Sequence, residues 1–129
     1  MTEYELIRAI AGRFARSPGQ RNGLFESDAE LVEIGGLLWA LTLDEFSAEE
    51  DLLPADDPEQ LGWNLAVATL SDLLAVGARP QFFMQVLSLP QRVGRDFAEG
   101  IADGVRSALD EAGCALCGGD IGVAETWRF

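Results

Sequence analysis

The chain has 129 residues, 48% of them apolar, which is enough for one domain with its own core and excludes a disordered chain. Nine basic against 22 acidic residues give a net charge of −13, which argues against nucleic acid as a partner. There is no His and no Lys, so a Ser-His-Asp or Cys-His arrangement, a phosphate-loop lysine and a Schiff-base lysine are excluded within the chain. Chemistry here must use carboxylates, hydroxyls, Arg, backbone amides or the two Cys.

Thr2-Glu3-Tyr4-Glu5 reads as a capping box, followed by Leu6, Ile7, Ile10 and Phe14 at helical spacing. Ser17-Pro18-Gly19 stops this segment, which reads as a packing helix without chemistry of its own. No signal peptide is visible at Met1-Thr2-Glu3-Tyr4 and no apolar run is long enough to span a bilayer, so no membrane partner and a cytoplasmic location are expected. Gln20 to Ala29 is a polar loop containing Glu26, Ser27 and Asp28. Leu31 to Ile34 reads as a strand, Gly35-Gly36 as a two-residue turn, and Leu37 to Leu43 as the returning strand. Period two puts Leu38, Ala40, Thr42 and Asp44 on one face, with Asp44 at the strand end before the acidic run Glu45 to Asp51.

Asp57 and Pro58 open the central helix as N-cap and first residue, and Gly77 follows its last turn. Between Leu65 and Gly77 the one charged side chain is Asp72, on a face with Ala68, Thr69, Ala75 and Val76. A carboxylate on such a face needs a cation, a metal or water, unless the helix rotates it to solvent or to a nearby Arg. Arg79-Pro80 turns into Gln81 to Leu89, a strand apolar on both faces: Phe83, Leu87 and Leu89 on one, Phe82, Met84 and Val86 on the other. One face suits helices and the other a partner subunit. Arg95-Asp96-Phe97 begins a third long helix with the stripe Phe97, Ile101, Val105, Ala108 and Leu109, ended by Gly113. Cys114 to Cys117 reads as a short strand, Gly118-Gly119-Asp120 as a tight turn, and Val123 to Phe129 as the beginning of another strand. The C-x-x-C pair lacks the two further ligands of a zinc site, and a strand would point its thiols to opposite faces. The expectation is one α+β domain over residues 1–129, a mixed β-sheet with helices on one face.

Four acids stand at element ends or in apolar surroundings: Asp28, Asp44, Asp72 and Asp120. Together they suit a site for hard cations, which take oxygen ligands; separately each could be a cap or a solvated turn residue. Gly118 and Gly119 before Asp120 allow close backbone approach to a ligand.

The segment Leu70-Ser71-Asp72-Leu73-Leu74-Ala75-Val76-Gly77-Ala78-Arg79-Pro80 resembles the Ser-Asp helix of the thiamine-monophosphate kinase family, in the aminoimidazole ribonucleotide synthetase-related superfamily. Ser27-Asp28, Thr42-Leu43-Asp44, Asp56-Asp57-Pro58, Leu87-Ser88-Leu89-Pro90 and Gly118-Gly119-Asp120 are similar to further family motifs in the same order. The resemblance covers almost the whole chain, as the family's N-terminal domain, with the family's second domain absent. It implies Mg2+ and ATP as cofactors, with Asp28, Asp44, Asp72 and Asp120 holding metal and Thr42, Ser71, Gly118 and Gly119 at the nucleotide. It also implies a small phosphorylated acceptor, a homodimeric barrel, and γ-phosphoryl transfer by positioning and charge neutralisation. The first family motif is changed to Leu24-Phe25-Glu26-Ser27-Asp28, its Lys and Asn in the central helix to Asn64 and Thr69, and its Thr-Thr-Arg to Ile121-Gly122-Val123. Those changes favour a degenerate dimerisation or regulatory module as the alternative, and another enzyme of the superfamily is a further one.

Overall fold

A computed structural model describes residues 1–51 and 53–129. Helix α1 (Glu3–Ala11) opens on the expected capping box. The Glu5 amide donates to the Thr2 hydroxyl at 3.3 Å, and the Thr2 amide to the Glu5 carboxylate at 2.7 Å. Those Thr2 bonds hold the Glu5 carboxyl below the usual carboxylate range. The packing role expected of α1 is corrected: none of its described residues is buried, and Leu6, Ile10 and, beyond the helix, Phe14 are exposed. Helices α2 and α3 fill the core, and α1 meets the loop that bears Phe25 through Tyr4 and Arg8.

Strands β1 (Glu30–Ile34) and β2 (Leu37–Leu41) form the expected antiparallel hairpin. Gly35 and Gly36 both adopt positive φ, 60° and 80°, as a two-residue turn matched to strand twist requires. The loop before β1 is less free than its polarity implies. The Arg21 amide donates to the Leu31 carbonyl at 2.8 Å and the Glu33 amide to the Gly19 carbonyl at 2.9 Å, so residues 19–21 run along β1. Asn22, buried, accepts from the Leu31 amide at 2.8 Å and donates to the Gly23 carbonyl and the Glu30 carboxylate, each at 3.2 Å.

Helix α2 (Pro58–Ala75) is capped by Asp57, whose carboxylate accepts from the Glu59 and Gln60 amides, both at 3.1 Å. It leads into β3 (Phe82–Leu89), α3 (Arg95–Ala112) and β4 (Ala115–Val123), a crossover unit in which β3 and β4 pair in parallel. The strands thus divide into two two-stranded sheets, one antiparallel and one parallel. Helices α2 and α3 cover one face of β3, where Phe83 and Leu87 are buried. They approach each other through glycines: a Cβ on Gly62 would overlap the Ile101 carbonyl, and one on Gly104 the Glu59 carbonyl. Leu61, Leu65 and Ile101, fully buried, fill the space around this crossing. On the other face of β3, Phe82, Met84 and Val86 are exposed, with Trp39 of β2 stacked on Phe82 at 6.1 Å between ring centroids.

Two expectations for the last third are corrected. Gly118-Gly119-Asp120 lies inside β4 and is not a tight turn; the register shift opposite Phe83 and Met84 absorbs the irregularity, with Gly118 at φ 152°. The Gln85 carbonyl lies where a Cβ on Gly119 would stand, so a close strand approach explains this glycine. Residues 124–129 form no strand. They thread between β3 and the 46–48 segment, the Ser88 amide donating to the Arg128 carbonyl at 2.9 Å and the Phe46 amide to the Phe129 carbonyl at 2.9 Å. Trp127 and Phe129 enter the core beside Phe83.

Candidate functional site

Asp72 projects from the last turns of α2 toward the end of β2. The hydroxyl of Thr42, just past β2, donates to the Asp72 carboxylate at 3.0 Å. Asp72 is half-buried, and its partner is this neutral hydroxyl rather than the cation, metal, water or Arg that the sequence pointed to. Ser27, Asp28, Leu41, Thr42 and Asp72 line one hollow of about 420 Å³, so the loop before β1, the end of β2 and α2 converge there.

Asp44 lies two residues beyond Thr42, half-buried. Its carboxyl is pushed above the usual range, first by desolvation and then by the Asp72 charge. Asp44 lines a second hollow of about 430 Å³ with Thr42, Thr69, Met84, Gln85, Ser88 and Arg128. Thr42 and Leu43 border both hollows. A carboxylate raised by burial and by a like-charged neighbour is stabilised by any cation placed between the two.

The remaining sequence-derived residues are placed differently. Asp120 is exposed on β4, in register with Val86, and its carboxylate accepts from the Ile121 amide at 3.0 Å. It lines neither hollow. The Ser71 hydroxyl donates to the Ala68 carbonyl at 2.6 Å within α2. Gly118 and Gly119 sit in the β4 ladder beside Met84 and Gln85. Among the described residues no three His, Cys, Asp or Glu side chains converge as a ready-made metal cage. Cys114, just before β4, is buried and Cys117, within β4, is exposed; burial pushes the Cys114 thiol up.

One residue escaped the sequence reading. The Gln85 side-chain oxygen is buried with no hydrogen-bond partner among the described residues, and Gln85 lines the second hollow. A lone amide in the apolar run Phe82-Phe83-Met84-Gln85-Val86-Leu87 was its signal.

The raised Asp44 carboxyl sets a pH dependence. A folded-state pKa above the unfolded value disfavours folding once the unfolded carboxyl ionises, above its ordinary value of 3.8. Asp44→Asn should therefore raise the melting temperature at pH 7 in metal-free buffer, with the gain vanishing below about pH 4. Melts of both proteins from pH 3 to pH 8 check this, and a gain that persists at low pH would assign it to packing.

Residues 26–127 match the family model of the AIR synthase related protein, N-terminal domain. A thiamine-monophosphate kinase of Archaeoglobus fulgidus is 35% identical over 129 residues, 97% of this chain and 41% of that protein. Another, of Nitrosopumilus maritimus, is 28% identical over 100% of this chain and 39% of its own length. The solved structure of AaThiL complexed with AMPPCP and TMP superposes with a TM-score of 0.83 at 26% identity, covering 98% of this chain and 39% of that one. The chain spans about two fifths of the length of these relatives. With residues 26–127 matched and the fold superposing on a kinase of this type, the chain belongs to the AIR synthase-related family, as its N-terminal domain.

Proposed function

We propose that this chain is the ATP- and magnesium-binding domain of a thiamine-monophosphate kinase-like phosphotransferase. The observation that carries the reading is the Thr42–Asp72 hydrogen bond at the border of two hollows, with Asp28 on one side and the raised Asp44 carboxyl on the other. The donor set is hard oxygen, which suits magnesium. That ion is commonly held by one or two carboxylates, with water and phosphate oxygens filling its other positions, so a closed three-acid cage is not required. Bound magnesium would neutralise charge on the nucleotide phosphates. Asp72 and Asp44 would hold it, and Asp28 would approach from the opposite wall. Thr42 orients Asp72. Asp120 would join from the neighbouring strand, with the Gly118-Gly119 backbone and Ser71 near the nucleotide. The buried Gln85 oxygen offers an acceptor for a ligand hydroxyl or amine. The acceptor we assign by class, a small phosphorylated molecule such as the TMP of the superposed structure.

Melting the chain with and without millimolar magnesium and ATP tests this. Ligand at ten times its dissociation constant should add about 1.4 kcal/mol, a rise of roughly 5 °C at this size. The rise should disappear in Asp72→Asn and on chelation with EDTA. No rise in the unaltered chain, or an equal one in Asp72→Asn, counts against the site.

A second reading, a dimerisation module with degenerate chemistry, is favoured by the exposed face of Phe82, Met84 and Val86. Both readings include a homodimer pairing through the sheets. A cytoplasmic location is part of the proposal, and no described helix is long and apolar enough to cross a membrane.

A further inference from the structure

Phe25 carries a positive φ of 66°, the one such non-glycine among the described residues. A bulky side chain adopts that conformation only where its surroundings impose it. On its protein side stands α1: the Tyr4 ring meets the Phe25 ring edge-on at 5.0 Å and the Arg8 guanidinium stands 5.6 Å over its centroid, while Phe25 itself stays 43% exposed. The loop that bears Phe25 is pinned at both ends by buried residues, Asn22 and Ala29. Within it the Gly23 amide donates to the Glu26 carboxylate and the Ala29 amide to the Ser27 hydroxyl at 3.3 Å. Three residues after Phe25 comes Asp28, on the wall of the hollow shared with Thr42 and Asp72.

We propose that Phe25, gripped by Tyr4 and Arg8 of α1, is a positioning residue that holds the 23–28 loop with Asp28 against the Asp72–Thr42 hollow. The inference rests on the metal-nucleotide reading of that hollow only for its consequence, not for the clamp itself. It gives α1 a task that its absence from the core leaves open. The helix brings Tyr4 and Arg8, four residues apart on one face, to a single ring. The clamp acts through the loop backbone, so Phe25 need touch neither metal nor nucleotide.

The test uses the full chain with Phe25→Gly, which accepts the backbone but lacks the ring, Tyr4→Ala, which removes one wall, and Tyr4→Phe, which keeps it. Amide hydrogen exchange of residues 23–29 should quicken by about ten-fold in the first two and stay unchanged in Tyr4→Phe, while residues 31–33 keep their protection. The dissociation constant for ATP with magnesium, read by thermal shift, should rise roughly five-fold in Phe25→Gly but no further when Phe25→Gly is added to Asp28→Asn, since both act at one point. Unchanged exchange in Phe25→Gly and Tyr4→Ala overturns the clamp. Fully additive losses in the double variant overturn the link to Asp28. If the unaltered chain shows no thermal shift with magnesium and ATP, the proposed function fails, and the exchange measurement still decides the clamp.

Discussion

Gly104→Ala should destabilise the chain by about 3 kcal/mol, against the gain of roughly 0.5–1 kcal/mol that Ala normally brings to a helix interior. The sign is set by the α2–α3 crossing. A methyl on Gly104 would overlap the Glu59 carbonyl and stand 2.7 Å from the Trp63 amide nitrogen, both backbone atoms of α2. Backbone cannot rotate away, so the helices must separate, and their separation opens space around Leu61, Leu65 and Ile101. Gly62, whose methyl would overlap the Ile101 carbonyl, should behave alike. Gly94→Ala is the control, because a methyl there meets open space. Urea denaturation of the three variants measures the differences. Stability in Gly104→Ala equal to that of Gly94→Ala would reject the close approach.

Adjacent residues of β3 should respond in opposite ways to one charge. Phe83 is 4% exposed and its ring lies 6.3 Å from that of Phe129, so Phe83→Asp places an unpaired carboxylate in the core. That costs several kcal/mol, comparable to the whole stability of a domain this size, and the variant should not fold at neutral pH. Met84 is 72% exposed on the opposite face. Met84→Asp should leave monomer stability within about 0.5 kcal/mol. If two copies pair through the Phe82-Met84-Val86 face, as the proposed homodimer requires, Met84→Asp should instead shift a dimer to monomer in sedimentation. A folded Phe83→Asp would overturn the assignment of the core face. A sedimentation profile that is monomeric before any substitution would overturn the dimer.

Where local chemistry decided the outcome, the sequence was readable. The Thr2–Glu5 box, the Gly35-Gly36 turn, the Asp57 cap and the alternation of β3 depend on neighbours a few residues away. Asp72 was legible in part: a single acid in an apolar helix body stood out, but its neutral hydroxyl partner, Thr42, lies 30 residues away in the chain and gave no local signal. What failed depended on partners distant in the chain. Gly118-Gly119 resembles a turn by composition, yet the pairing with Gln85 across the sheet keeps it extended. The stripe of α1 has helical spacing, but spacing says nothing about whether a core has room for a third helix. Asp120 was grouped with the other acids as a strand-end residue. In a continuous β4 it lies mid-strand, beside Val86. Phe25 gave no signal at all, since nothing in a sequence marks a positive φ on an aromatic residue.

The threading of residues 127–129 bears on how the chain is born. Trp127 and Phe129 close the core, and their backbone ties the 46–48 segment to the end of β3. A ribosome delivers the hairpin, α2, β3 and α3 before these three residues have left the exit tunnel. Until they emerge, Phe83 and Leu87 lack part of their cover, and the 46–48 segment has no ladder to join. A chain folded only up to β4 would leave that apolar surface open to chaperones or to neighbouring chains. Closure of this core therefore depends on residues synthesised after every helix and strand that they cover.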